Sequence, residues 1–247
     1  MKIINKMYHG DIEMTFETGR HRYTVDNKPV YGVTSVLGVI AKPGLLFWSA
    51  NMAADHFRDQ INPGQAYDEI ELELIWKEAK KAHHTKKETA GSIGILVHKW
   101  VEDYCNKKNP GMPVNKIAAG AVGRFLKWVN EHNIEFLSSE QPCYSKKYNY
   151  AGTIDGICKI DGKLYIFDLK TSNRMYDEMR IQVAAYKHAR VEEFPEEKYE
   201  GCCILRVGKK DGDIEFKAFK DKKYYFQAFL DALRLTKNLK LIEEDKQ

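Results

Sequence analysis

The sequence predicts an α/β fold, a mixed central β-sheet flanked by helices, with an N-terminal helical elaboration. Three observations carry that reading. Apolar residues recur at helical spacing over most of residues 43–133. At Ile134 the pattern changes to three strand-like runs that end at Thr171. A helical segment then crosses to two further strands and a closing helix. The expectation is one domain spanning residues 1–247, with 1–133 its mainly helical part and 134–247 its α/β core.

Each element has a local reason. Residues 11–31 alternate in the manner of strands about a turn at Asp26-Asn27. Thr34-Ser35 is placed to cap a short helix through Ile40, and Pro43 opens another that runs to about Gln60. Pro63-Gly64 interrupts it. Glu69 to Lys87 reads as a charged amphipathic helix, and Ser92 begins a separate one that stops at Asn109-Pro110-Gly111. Asn115 to Asn133 is a further helix, with Val122, Phe125, Leu126 and Val129 on one face. Beyond the three-strand region, Asp177–Val191 reads as helix, Tyr199–Val207 and Ile214–Phe219 as strands, and Asp221–Leu239 as the last helix.

Composition narrows the function without naming it. Hydrophobic content of 43% and charged content of 30% are those of an ordinary globular chain, and the formal charge is +4. That mild basicity permits a polyanionic partner but does not require one. Lys77, Lys80, Lys81, His83, His84, Lys86 and Lys87 form a basic stretch fit for phosphate contact. A second stretch, Lys209, Lys210, Lys217, Lys220, Lys222 and Lys223, is diluted by Asp211, Asp213, Glu215 and Asp221 and reads as a solvated face. The five cysteines, Cys105, Cys143, Cys158, Cys202 and Cys203, are odd in number and contain no Cys-x-x-Cys. They point away from a disulfide framework or zinc site and toward a reducing, cytoplasmic setting. No apolar run reaches transmembrane length, so no membrane partner is expected. The four tryptophans read as packing residues, and histidines other than His98 show no ligand spacing.

The chemistry concentrates in one segment. Ile157–Ile160 and Lys163–Phe167 read as strands joined by Asp161-Gly162, a two-residue hairpin signal. In that register Asp155 falls opposite Asp168, with Cβ atoms about 4.5–5.5 Å apart. Strand alternation then puts Lys170 on the face of Asp168. A bulged or three-residue turn would slip the register and separate the carboxylates. Like charges held that close call for a neutralising divalent cation. Farther on, Gln182 and Tyr186 stand one helical turn apart.

Gly152-x-x-Asp155, Asp168-x-Lys170 and Gln182-x-x-x-Tyr186 resemble motifs II, III and the Gln-x-x-x-Tyr box of RecB-like nucleases in the PD-(D/E)XK superfamily. Gly91-x-x-Gly94-x-x-x-His98 resembles that family's helical histidine motif. The stretch from Tyr31 to Leu37, with Lys42 and Trp48, is similar to the opening of phage and bacterial exonucleases of this group, to which the mitochondrial genome maintenance exonuclease also belongs. The resemblance implies a restriction-endonuclease-like core and a metal-dependent DNA exonuclease favouring single-stranded or end-bearing DNA, in recombination, repair or processing. It implies Mg²⁺ or Mn²⁺ held by Asp155, Asp168, the Leu169 carbonyl and His98, with the imidazole favouring Mn²⁺. Lys170 would orient or deprotonate the attacking water. Gln182 and Tyr186 would touch the DNA backbone or brace the site.

Ser172 and Arg174, just past the Asp-x-Lys strand, are candidates for phosphate contact. Glu102 and Glu140 are candidates for carboxylates standing behind the metal ligands. No iron–sulfur cluster is expected, because Cys202-Cys203 is adjacent rather than spaced. Without a helicase segment, any recombinase, helicase or single-strand-binding partner would be a separate polypeptide. The setting would be the host cytoplasm if the chain is phage-encoded. Two alternatives stay open: a structure-specific or nicking endonuclease of the same fold, and a DNA-binding module with a vestigial nuclease site.

Overall fold

The computed structural model describes residues 1–209 and 213–245. Lys210 and Asp211 of the second basic stretch lie outside them. The strands are β1 (Lys2–Met7), β2 (Ile12–Glu17), β3 (Arg22–Val25), β4 (Lys28–Gly32), β5 (Ile134–Ser145), β6 (Tyr150–Ile160), β7 (Lys163–Lys170), β8 (Tyr199–Val207) and β9 (Ile214–Phe219). The helices are α1 (Val33–Val36), α2 (Pro43–Gln60), α3 (Glu69–Cys105), α4 (Lys116–Glu131), α5 (Asp177–Glu193) and α6 (Lys223–Glu244). The fold is α/β, with a mixed sheet of nine strands.

The sheet runs β1-β2-β3-β4-β6-β7-β8-β9, and β5 pairs with β6 off that path. The β6–β7 hairpin has the predicted register, from Gly156 opposite Phe167 to Ile160 opposite Lys163. Its turn takes left-handed backbone at both positions, φ 51° at Asp161 and φ 75° at Gly162, the twist that a two-residue hairpin needs. β7 and β8 lie parallel through the crossover helix α5, and β9 returns antiparallel.

One feature of the sheet positions the candidate site. β5 runs along the whole of β6, from Ile134–Ile160 to Ser145–Tyr150. The other edge of β6 is shared: Tyr150 and Ala151 pair parallel with β4, whereas Gly156 to Ile160 pair with β7. Between these ladders, Gly152 to Asp155 are the residues at which β4 and β7 part. The sheet splits there, and Asp155 sits at the split.

Both faces are covered. Met179, Val183, Ala185, Tyr186 and Ala189 of α5 pack with Phe229, Ala232 and Leu233 of α6 onto Ile154, Ile166, Cys202 and Ile204. On α4 the predicted stripe is realised through Ala118, Ala121, Val122, Phe125 and Trp128, while Leu126 and Val129 are half-buried. Trp128 stacks on Phe167 at 6.3 Å and meets Phe216 at 4.9 Å. Asn115 caps α4 by accepting from the amides of Ile117 and Ala118.

The chain divides into two compact units, Met1–Ile40 with Val97–Gln247, and Ala41–Leu96. The boundaries therefore fall at 40/41 and 96/97 rather than at 133/134. The reason is that β1 to β4 belong to the sheet and the end of α3 packs with α4, Tyr104 meeting Phe125 at 5.5 Å. The second unit holds α2 and residues 69–96 of α3. A reciprocal capping box starts α3, with the Asp68 amide donating to Glu71 at 2.9 Å and the Glu71 amide donating to Asp68 at 2.8 Å.

Three sequence expectations need correction. Residues 69–105 are one continuous helix instead of two, because no proline interrupts them and Gly91 is tolerated inside a helix. The short helix starts at Val33 with Gly32 as its cap, so Thr34 and Ser35 lie inside it instead of capping it, and it ends at Val36, tightening into a 3₁₀ turn over Leu37–Val39. The last helix begins at Lys223 rather than at Asp221, whose carboxylate is engaged by Lys187 at 3.4 Å and His188 at 3.1 Å. Among the described residues no single helix is long and apolar enough to cross a membrane.

Candidate active site

Asp168 lies near the C-terminal end of β7, 1% exposed, in a strand whose neighbours Phe167 and Leu169 are also buried. Lys170, two residues on, turns back so that its Nζ lies 2.9 Å from Oδ1 and 2.8 Å from Oδ2. The hydrogen bond is made to Oδ1, leaving Oδ2 buried with no hydrogen-bond partner. Burial pushes the Asp168 carboxyl up to about 7; the Lys170 ammonium opposes that shift and the Asp155 charge adds to it. Burial also works against the Lys170 charge, but Asp168 and Asp155 outweigh it and raise the lysine above its usual value. Lys170 is thus held as a cation.

Asp155 occupies the split on β6. Its Oδ2 accepts the Leu169 amide N–H at 2.9 Å, so a side chain replaces the missing backbone rung beside Asp168. The same oxygen lies 3.6 Å from His98 Nδ1. His98 stands in the last part of α3, between the buried residues Val97 and Trp100, with the Trp100 indole anchored on the Gly111 carbonyl at 2.8 Å. Burial holds the imidazole below its usual pKa, against the pull of Asp155 and with the help of Lys170. A neutral imidazole keeps a lone pair available.

α5 closes the other side. Gln182 donates to the Tyr186 hydroxyl at 2.8 Å, and Tyr186 is buried. Burial, with the charge of Asp168 next, lifts its phenol well above the usual value, so it stays neutral. Gly152 is required by this contact, since a Cβ there would meet Tyr186 Cε1 at 2.5 Å and Cδ1 at 3.0 Å. Thr153 is held from the far side by the Tyr23 hydroxyl at 3.0 Å.

The structure therefore gathers His98, Asp155, Asp168, Leu169, Lys170, Gln182 and Tyr186. The other expected residues are placed differently. Ser172 donates to the Arg174 carbonyl at 2.8 Å, and the Arg174 guanidinium lies 4.9 Å over the Tyr176 ring, so both are spent locally. Glu102 is ion-paired with Lys99 at 3.0 Å. Glu140 falls opposite Asp155 in the β5–β6 register, between the Ser139–Gly156 and Gln141–Ile154 pairs, and has left-handed backbone, φ 48°. It is exposed, yet partial desolvation and the charges of Asp155 and Glu102 raise its carboxyl to about 7.

Sequence reasoning missed Arg206. It is buried at the rung beside Lys170 and donates to the Ser172 carbonyl at 3.3 Å while pairing with Asp213 at 2.6 Å and Glu215 at 3.3 Å. A charge ending the apolar run Gly201–Leu205 was the available signal.

For a divalent cation, the donors present are two carboxylates and an imidazole, one carboxylate oxygen being buried and without a hydrogen bond, though 2.8 Å from the Lys170 ammonium. That donor set suits a hard or borderline ion. Among the described residues, however, no three or more His, Cys, Asp or Glu side chains are drawn together as a ready-made cage. All five cysteines are free thiols.

No protein-family model matches the chain, and no curated protein matches it. A solved structure titled "Crystal structure of SSO0001" aligns with a TM-score of 0.33 at 12% identity, over 80% of this chain and 87% of that one. A likeness that loose has no bearing on chemistry.

Proposed function

We propose that the chain is a metal-dependent deoxyribonuclease with a restriction-endonuclease-like core, an exonuclease that hydrolyses phosphodiester bonds in single-stranded or end-bearing DNA. The observation that supports it most is the pairing at the sheet split. Asp155 is tied to the Leu169 amide beside buried Asp168, whose carboxylate is ion-paired with a lysine held charged. An apolar core has no use for such a set, whereas phosphoryl chemistry needs each part.

Asp155, Asp168 and His98 would hold Mg²⁺ or Mn²⁺, with the Leu169 carbonyl as a further oxygen donor. When bound, that ion supplies Lewis-acid polarisation of the phosphate and acidifies water. The chain's own residues do the rest. Lys170, kept as a cation, is suited to orienting the attacking water and countering charge on the phosphorane oxygens, and unsuited to being a base near neutral pH. Tyr186, neutral and fixed by Gln182, braces the Gly152 backbone and so helps keep Asp155 on the Leu169 amide beside Asp168. The five free thiols agree with a reducing, cytoplasmic place of action.

The test is cleavage of end-labelled single- and double-stranded DNA with Mn²⁺, Mg²⁺ or EDTA. Wild type is expected to degrade DNA only with metal, and Lys170→Ala to lose at least a hundredfold in rate, the scale of one electrostatic stabiliser, ~10²–10³. A ladder shortening from the ends identifies an exonuclease. Metal-independent cleavage, or a fully active Lys170→Ala, defeats the assignment.

A further inference from the structure

We infer that one face of α3, within the Ala41–Leu96 unit, is a docking strip for single-stranded nucleic acid. The inference rests on the nuclease reading for its choice of polymer, but its observations involve none of the carboxylate-site residues. Trp76, Lys80, His83 and Lys87 follow one another at spacings of four, three and four, which puts them on a single helix face. Trp76 is 48% exposed, with the Lys80 ammonium 4.1 Å from its ring centroid. One turn on, Trp48 of α2 meets His83 edge-on at 6.4 Å. An indole flanked by cations is the arrangement that binds an unpaired base and its phosphates together.

The charges are unbalanced where the strip needs them. Between residues 77 and 87 there are five lysines and one glutamate. Lys77 is answered by Glu73 at 3.1 Å and His84 by Glu88 at 3.4 Å. Lys80, Lys81, Lys86 and Lys87 form no ion pair among the described residues, so their mutual repulsion is relieved by an anion from outside. Glu69, Glu71 and Glu73 precede the strip and confine phosphates to its later part. An open depression of about 560 Å³ lined by Phe57, Glu69, Leu72, Glu73 and Trp76 leaves room beside the indole for a base, though not for its phosphate. Duplex DNA offers phosphates but no free base face, which is why the occupant is a single strand.

The test is fluorescence anisotropy of a labelled oligothymidylate in EDTA, where binding is read without cleavage. Trp76→Ala is expected to weaken binding about tenfold, and Trp76→Phe to recover most of it, as stacking predicts. Lys80→Ala with Lys87→Ala should reduce the slope of log affinity against log salt by about 1.4. Circular dichroism confirms that α3 is intact in each variant. Wild-type affinity in Trp76→Ala, or equal competition by duplex DNA or polyglutamate, overturns the strip. Parallel cleavage assays separate the two claims. Metal-dependent cleavage with unimpaired binding in Trp76→Ala removes the strip and keeps the nuclease. Stacking-dependent binding without cleavage in wild type does the reverse.

Discussion

Asp168 concentrates the tension of this molecule in a single side chain. Its carboxyl is raised to about 7 by burial, with Asp155 adding and Lys170 opposing, against a reference value of 3.8. The folded state therefore holds a proton that the unfolded chain has already released. Stability is undiminished below about pH 4 and falls as pH rises toward 7, because ionising Asp168 is costlier in the fold. Metal-free wild type should lose thermal stability between about pH 4 and pH 7, and Asp168→Asn should flatten that slope, whatever constant offset follows from Lys170 losing a charged partner. Calorimetric melting at several pH values measures both slopes; equal slopes would remove Asp168 as the source. The same proton must leave before a cation binds. Mn²⁺ should thus raise Tm more at pH 8 than at pH 6, and EDTA should abolish the difference. Glu140, raised to about 7 beside Asp155, would contribute in the same window, though less, being exposed.

At the scale of elements, what was legible in the sequence was local. Asp161-Gly162 set the turn, and the turn set the register from Ile160–Lys163 to Gly156–Phe167; the ladder stops one step short of Asp155, which meets the partner strand through the Leu169 amide, while Lys170 turns back onto Asp168. Gln182 and Tyr186 were legible for the same reason, being one helical turn apart. His98 was not: nothing in its spacing says that α3 brings it to Asp155, and only the family resemblance pointed there. The supposed break near Ser92 failed because a glycine weakens a helix without ending it. A Cβ at Gly91 would meet nothing within 4 Å. Gly91→Ala is therefore expected to stabilise α3 by about 0.8–1 kcal/mol, seen as a higher urea midpoint. Gly152→Ala should do the opposite, by about 1–3 kcal/mol, since its methyl group would meet the Tyr186 ring. If both alanines behaved alike, the close approach at the split would be disproved.

The whole molecule joins parts of very different solidity. β6, β7 and β8 carry long buried runs, such as Gly201 to Gly208, and are covered on both faces. Residues 1–40 join that sheet through two parallel rungs, Tyr31–Tyr150 and Gly32–Ala151. This is a long-range pairing that no local pattern announces, which is why the helical-half, sheet-half division did not match the units. By contrast α2 has no buried residue, and the α3 segment up to Leu96 buries little beyond Ala79, Ile93 and Gly94. Few buried apolar contacts mean low-energy local opening. Hydrogen exchange should thus show amides of 43–96 exchanging much faster than those of β6 to β8, under conditions where the protein does not unfold globally. Added oligothymidylate should slow exchange in α3 around residues 76–87 and leave the β8 amides unchanged. Uniform protection across 41–96 and the sheet would mean that the smaller unit is as firmly built as the larger. Protection by the oligonucleotide confined to the β7 end would place all binding at the carboxylates and leave α3 without a role in holding the strand.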